Sequence, residues 1–220
     1  MKKISPVSVY QLDISEPSGI AYNSAGNTLL IVSDSKPEVF EVNLAGVIIR
    51  TINVNGSDME GVAVSSGGDT IYIVEERLRQ VSLFNRAGAK LASFKADVAQ
   101  LDNSGLEGVA VKRNGKSIFV INEKDPKMLL YYENYTETWR KSFEYAADLS
   151  DICYEDSSGF LWVISDESGM ILRLSETGIL IDKWEIPFSK GEGIAVVGDK
   201  LYIVNDQDGK MYVFRRPSYF

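Results

Sequence analysis

The chain contains no histidine and only one cysteine, Cys153. Without histidine there is no Ser-His-Asp triad, no Cys-His pair and no imidazole ligand for a metal. One cysteine leaves no intrachain disulfide and no thiolate cluster for zinc. Cys153 stands where sister segments carry alanine, which reads as a small buried residue. Cations are in deficit: 23 Lys and Arg face 31 Asp and Glu, a net charge of −8. That balance argues against nucleic acid as a partner and for cations or basic ligands. No apolar run approaches the roughly 18 residues of a membrane helix. Residues 1–6 carry two lysines with no apolar stretch behind them, so no signal peptide is visible.

What the chain has is repetition. Met59-Glu60-Gly61-Val62-Ala63-Val64, Leu106-Glu107-Gly108-Val109-Ala110-Val111 and Gly191-Glu192-Gly193-Ile194-Ala195-Val196 are near-duplicates. Pro17-Ser18-Gly19-Ile20-Ala21-Tyr22 and Leu149-Ser150-Asp151-Ile152-Cys153-Tyr154 are weaker copies with serine in place of glutamate. The copies start at Ser18, Glu60, Glu107, Ser150 and Glu192, at intervals of 42, 47, 43 and 42 residues. A period running from end to end predicts one domain over residues 1–220.

Each copy leads into a Gly- or Asn-bearing turn and then a β-branched run, such as Ile71-Tyr72-Ile73-Val74 or Ile118-Phe119-Val120-Ile121. Runs of four or five such residues bounded by turn formers read as buried strands. Two further strands follow in each repeat, and four strands per 40 to 45 residues is the pattern of a propeller blade. The fifth repeat stops after its third strand, while residues 7–14 precede the first motif with no blade of their own. The expectation is therefore all-β: a five-bladed propeller of four-stranded antiparallel blades, closed by the N-terminal strand completing the last one. The longest interval predicts an extra loop or helical turn over residues 96–103. Trp139, Trp162 and Trp184 fall within strands and are assigned to packing between blades.

Antiparallel return of the second strand brings each motif to the end of its own hairpin. Ser18 and Asp34, Glu60 and Glu76, Glu107 and Glu123, and Ser150 and Asp166 are each 16 residues apart; Glu192 and Asp206 are 14 apart. All ten positions should gather at one mouth of the central channel, and eight of them are carboxylates. Crowded carboxylates raise one another's pKa unless a cation offsets them. Calcium, with six to eight oxygen ligands in loose geometry, suits such a ring better than magnesium. Glu60, Glu107 and Glu192 are the expected ligands of the ion or of a small cationic ligand. Asp34, Glu76, Glu123, Asp166, Asp206 and Asp151 are assigned to an outer ring, where main-chain hydrogen bonding in the turns is a competing role. Arg77, Arg79, Lys124 and Lys127 lie on loops at the same face, and solvated loops are the favoured reading for them. The function expected is a calcium-binding, non-catalytic module for a ligand or protein. The alternative is a metal-dependent esterase, lactonase or phosphoesterase with Glu123 or Asp166 as base.

The run Asn103-Ser104-Gly105-Leu106-Glu107-Gly108-Val109-Ala110, followed by Phe119-Val120-Ile121-Asn122-Glu123-Lys124-Asp125-Pro126, resembles the SdiA-regulated (YjiK-like) family of bacterial propeller proteins. The resemblance continues through Asp148-Leu149-Ser150-Asp151, Val163-Ile164-Ser165-Asp166-Glu167-Ser168 and Glu192-Gly193-Ile194-Ala195. It implies a β-propeller and gives no activity. It also suggests the cell envelope, because members usually begin with a membrane anchor or an export signal.

Overall fold

The computed structural model describes residues 2–98 and 104–218. Five sheets surround an axis, each with a four-stranded antiparallel meander that steps outward in chain order except in blade five, whose outer strand comes from the N-terminus. Blade one is Pro17–Asn23, Thr28–Ser33, Lys36–Val42 and Ile48–Asn53; blade two is Met59–Val64, Thr70–Glu75, Gln80–Asn85 and Lys90–Lys95. Blade three is Leu106–Val111, Ser117–Asn122, Met128–Glu133 and Thr136–Ser142. Blade four is Asp151–Glu155, Phe160–Ser165, Met170–Leu174 and Leu180–Glu185. Blade five takes Gly191–Val197, Lys200–Asn205 and Lys210–Arg215 from the C-terminus and Pro6–Gln11 from the N-terminus. The innermost strands touch one another in cyclic order, the fifth returning to the first. The protein is a five-bladed β-propeller.

The second strand of every blade is apolar without alternation because both of its faces are covered. Leu29 to Val32, Ile118 to Ile121 and Leu161 to Ile164 are wholly buried. This is the pattern of a sheet sandwiched between two others. Five apolar clusters fill the spaces between successive blades. Trp162 stacks on Trp184 at 5.6 Å and packs with Ile194 and Leu201 of blade five, while Trp139 stacks on Tyr131 at 5.3 Å.

The closing strand is shorter than the expected 7–14. After Gln11 the chain leaves the ladder, the Leu12 N–H donating to the Gly209 carbonyl at 2.9 Å. Leu12 and Ile14 turn into the core between blades five and one. Lys2–Lys3 adds a fifth strand to blade four, parallel to Leu180–Glu185, with ion pairs from Lys2 to Asp182 and Lys3 to Glu185. These lysines are exposed, so the pairs contribute little, and backbone pairing carries the contact. Of the expected insertion at 96–103, residues 99–103 lie outside the described residues. Ala96 is buried, its N–H on the Arg79 carbonyl.

Candidate functional site

Each hairpin has the register that brings its motif beside the end of the second strand. Pro17 lies opposite Ser33, Met59 opposite Glu75, Leu106 opposite Asn122 and Gly191 opposite Asn205. Immediately after these pairs the register slips by one residue in blades one, two, three and five. The motif residue Ser18, Glu60, Glu107 or Glu192 falls at this bulge. A bulge re-aims a side chain out of the ladder, and here it frees three glutamates for the channel opening. Blade four has no such slip.

The glycine after each bulge is set by close approach of neighbouring strands. A Cβ on Gly61 would lie 2.4 Å from the Glu107 carbonyl oxygen, and one on Gly19 would lie 2.5 Å from that of Glu60. A Cβ on Gly193 would come within 2.9 Å of the Ile20 nitrogen. Main chain therefore packs on main chain around the axis, a contact that only glycine permits.

Three carboxylates converge most closely. Asp34, Asp58 and Glu60 each bring an oxygen within 4.8 Å of the other two. They come from the end of a second strand, the turn before a motif, and the motif itself. Burial first, then the charges of Asp34, Glu76, Asp58 and Glu192, push the Glu60 carboxyl up to about 9. Glu107 is also raised well above the carboxylate range, by burial and then by Glu60, Glu123, Glu76 and Glu192. These couplings put the three motif glutamates in one electrostatic neighbourhood. Asp34 and Glu76 are raised too, each by burial first and then by Asp58.

The rest of the mouth is partly neutralised. Lys190 reaches Asp166 at 3.0 Å and Glu192 at 3.7 Å, and its main-chain N–H also bonds the Asp166 carboxylate. Burial and Asp166 raise Glu192, Lys190 opposes them, and the group settles at about 7. Glu123 pairs with Lys124 at 2.8 Å, and Lys124 continues to Glu167 at 2.7 Å. Asp206 is raised by burial and Glu16, with Lys190 opposing. Arg77 contacts Asp58 at 3.2 Å from an exposed position. The loop cations are thus more engaged than solvated loops would be. Arg79 is buried, with its guanidinium on the Glu76 and Ser104 carbonyls.

Asp151 does not join the outer ring. It occupies the glycine position of blade four and, without a bulge, stays in the strand with its side chain on the axis below the mouth. It is wholly buried, and its Oδ2 accepts the Ile194 N–H at 2.9 Å. Among the described residues its Oδ1 has no hydrogen-bond partner, although the Ile152 and Ile20 amides lie close enough to favour the charged form. Burial outweighs them and lifts the carboxyl well above its usual range. The two motif serines are spent locally: Ser18 donates to the Met59 carbonyl at 2.7 Å, and Ser150 accepts the Asp166 N–H at 3.1 Å.

Asp58 is the residue that the sequence reading missed. It stands two positions before a motif, in a column that reads Glu16, Asp58, Gly105, Asp148 and Lys190. The carbonyls of Glu16, Asp58, Gly105 and Lys190 accept the N–H of Asp34, Glu76, Glu123 and Asp206 respectively, which holds this column over the opening. Three acids in five copies were the available signal.

The fold defines the class: a five-bladed β-propeller, in which the carboxylates of Asp34, Asp58 and Glu60 converge. The chain belongs to the SdiA-regulated family, whose model matches residues 8–220. No curated protein matches it in sequence. Among solved structures it is similar to the Myxococcus xanthus glutaminyl cyclase (TM-score 0.72, 10% identity, 97% of this chain and 98% of that one). It is also similar to a chain of a nidogen/laminin complex (TM-score 0.68, 14% identity, 91% of this chain and 76% of that one). At such identities the likeness carries the fold alone. Among the described residues no helix is long and apolar enough to cross a membrane.

Proposed function

We propose that the protein is a calcium-binding propeller module that holds a small cationic ligand or a protein at its acidic mouth without turning it over. Asp34, Asp58 and Glu60 would hold the ion. The supporting observation is their convergence within 4.8 Å, with burial and the neighbouring carboxylates pushing Glu60 up to about 9. The donors are all oxygens, and the chain has no histidine, which suits a hard cation over zinc or copper. Glu107, facing the same opening, would complete the shell directly or through water. Glu192 would act in the outer shell, because Lys190 already engages it.

The test is a calcium titration followed by thermal unfolding at pH 7.5. An ion that binds only the folded state raises Tm progressively as its concentration passes the Kd. Glu60→Gln and Asp58→Asn should lose that response, whereas Glu123→Gln should keep most of it. A wild-type Tm indifferent to millimolar calcium would sink the reading.

A second reading, hydrolysis assisted by a bound divalent ion, has one observation in its favour. Glu192, at about 7, lies at neutral pH, where a carboxyl can exchange protons with a substrate, and Glu60, at about 9, lies above it. A panel of esters, lactones and phosphoesters, with and without calcium, separates the two readings. Turnover lost in Glu192→Gln would favour the enzyme.

A further inference from the structure

The opposite end of the channel differs in character. Below Asp151 it widens into a cavity of about 360 Å³, walled by the second halves of the inner strands: residues 20–22, 62–64, 109–111, 152–154 and 195–196. Val64, Val111, Val196 and Cys153 are apolar, lie within strands and are only partly buried, because they face this space. Aliphatic surface left in water favours an apolar occupant, and the volume is within the range of small-molecule sites, about 300–1,000 Å³.

The rim is built by hydrogen bonds that step from blade to blade. Ser24 donates to the Ser66 carbonyl at 3.5 Å, Ser66 to the Arg113 carbonyl at 3.1 Å, and the Arg113 N–H to Asp156 at 3.3 Å. The series ends at blade five, whose turn is two residues shorter. There Gly198 has no atom within 4 Å of where a Cβ would stand, leaving a notch in the rim. Two other charged groups near the rim are matched, Glu155 by Arg216 and Lys112 by Glu176, while the exposed Asp156 carboxylate forms no ion pair among the described residues. Asp156 accepts the Arg113 main-chain N–H. Arg113 is among the residues that line the cavity, is exposed, and forms no ion pair among the described residues.

We infer that this cavity binds a small amphipathic anion, a medium-chain carboxylate, with its apolar body between the inner strands and its head group on Arg113. The site is independent of the acidic mouth, from which the Asp151 side chain separates it. The two ends would select opposite charges.

The experiment is calorimetry of the intact chain with sodium octanoate, with 1-octanol and octylammonium as comparison probes. Octanoate should bind saturably, one molecule per chain, and octylammonium about tenfold more weakly or worse. Arg113→Ala, an exposed change, should weaken octanoate about tenfold and leave 1-octanol within about twofold. Val111→Phe, which fills the cavity, should weaken both. Cys153 gives an independent readout as the only thiol in the chain: octanoate should slow its reaction with 4,4′-dithiodipyridine in a saturable way. Absence of saturable octanoate binding overturns the inference. So does binding that leaves Cys153 reactivity unchanged, or a preference for octylammonium.

Discussion

The two ends of the channel are made by the same five strands, yet they share almost no chemistry. In blades one, two, three and five the first half of the inner strand carries the bulged glutamate or serine and the glycine, where blade four has Asp151 without a bulge; the second halves carry mainly Ile, Val, Ala, Cys and Tyr. Between them lies the girdle of glycines with Asp151 on the axis. A strand of six or seven residues can serve two sites when a bulge turns one residue out of the ladder and close main-chain packing seals the space beneath it. Charge crowds at one end because side chains converge there. At the other end the walls belong to the apolar clusters between blades, and the charged residues Arg113, Glu155 and Asp156 are confined to the rim.

The comparison is broken most severely at the girdle. Gly61→Val places a side chain against the Glu107 carbonyl, and we expect a loss of about 3 kcal/mol or more in urea unfolding. Unchanged stability would mean that the strands do not pack main chain to main chain. Next is the axial carboxyl. Asp151→Ala orphans the buried Ile194 N–H and should cost about 1–3 kcal/mol, with Asp151→Asn costing less. Equal losses in both variants would show that the hydrogen bond is not what holds the axis.

The acidic end is tested by pH. Folding raises Glu60 to about 9 and Glu192 to about 7 from an ordinary 4.5, so the folded state keeps protons that the unfolded chain releases. Their contribution is fully present below about pH 4.5. It is lost through pH 7 for Glu192 and through pH 9 for Glu60. In calcium-free buffer we expect Tm to fall by about 5 °C between pH 5.5 and 8.5, and Glu60→Gln to flatten most of that slope. A Tm that rises over this window contradicts the crowding. The smallest effect belongs to Lys190→Ala. Lys190 is half exposed, so stability should change by less than about 1 kcal/mol, while Glu192 should titrate above 7 by NMR. An unmoved Glu192 would show that the lysine does not set its charge.

Much of this was legible in the residues. The five copies and their spacing specify blade number and ring closure, and they place each motif beside the end of its own second strand, because hairpin pairing fixes register from turn length. Asp58 was not legible within a single repeat, since an acid in a turn has the same local signature as a solvated loop residue. Asp151 was misread because a carboxylate beside a motif serine looks like one more rim acid, and only the missing bulge keeps it in the strand. The parallel pairing of Lys2–Lys3 on blade four leaves no trace in two lysines. The lower cavity was equally hidden, since alternation along an inner strand does not say how wide the space between five such strands becomes.

Burial and neighbouring carboxylates favour a protonated Glu60, and the proposed ion would displace that proton. That displacement is tested most directly by proton release on adding calcium to unbuffered protein at pH 7.5, read in a pH-stat. The account predicts close to one proton or more released per ion bound, and almost none from Glu60→Gln. Calcium binding without proton release, or release of the same size from Glu60→Gln, would contradict it.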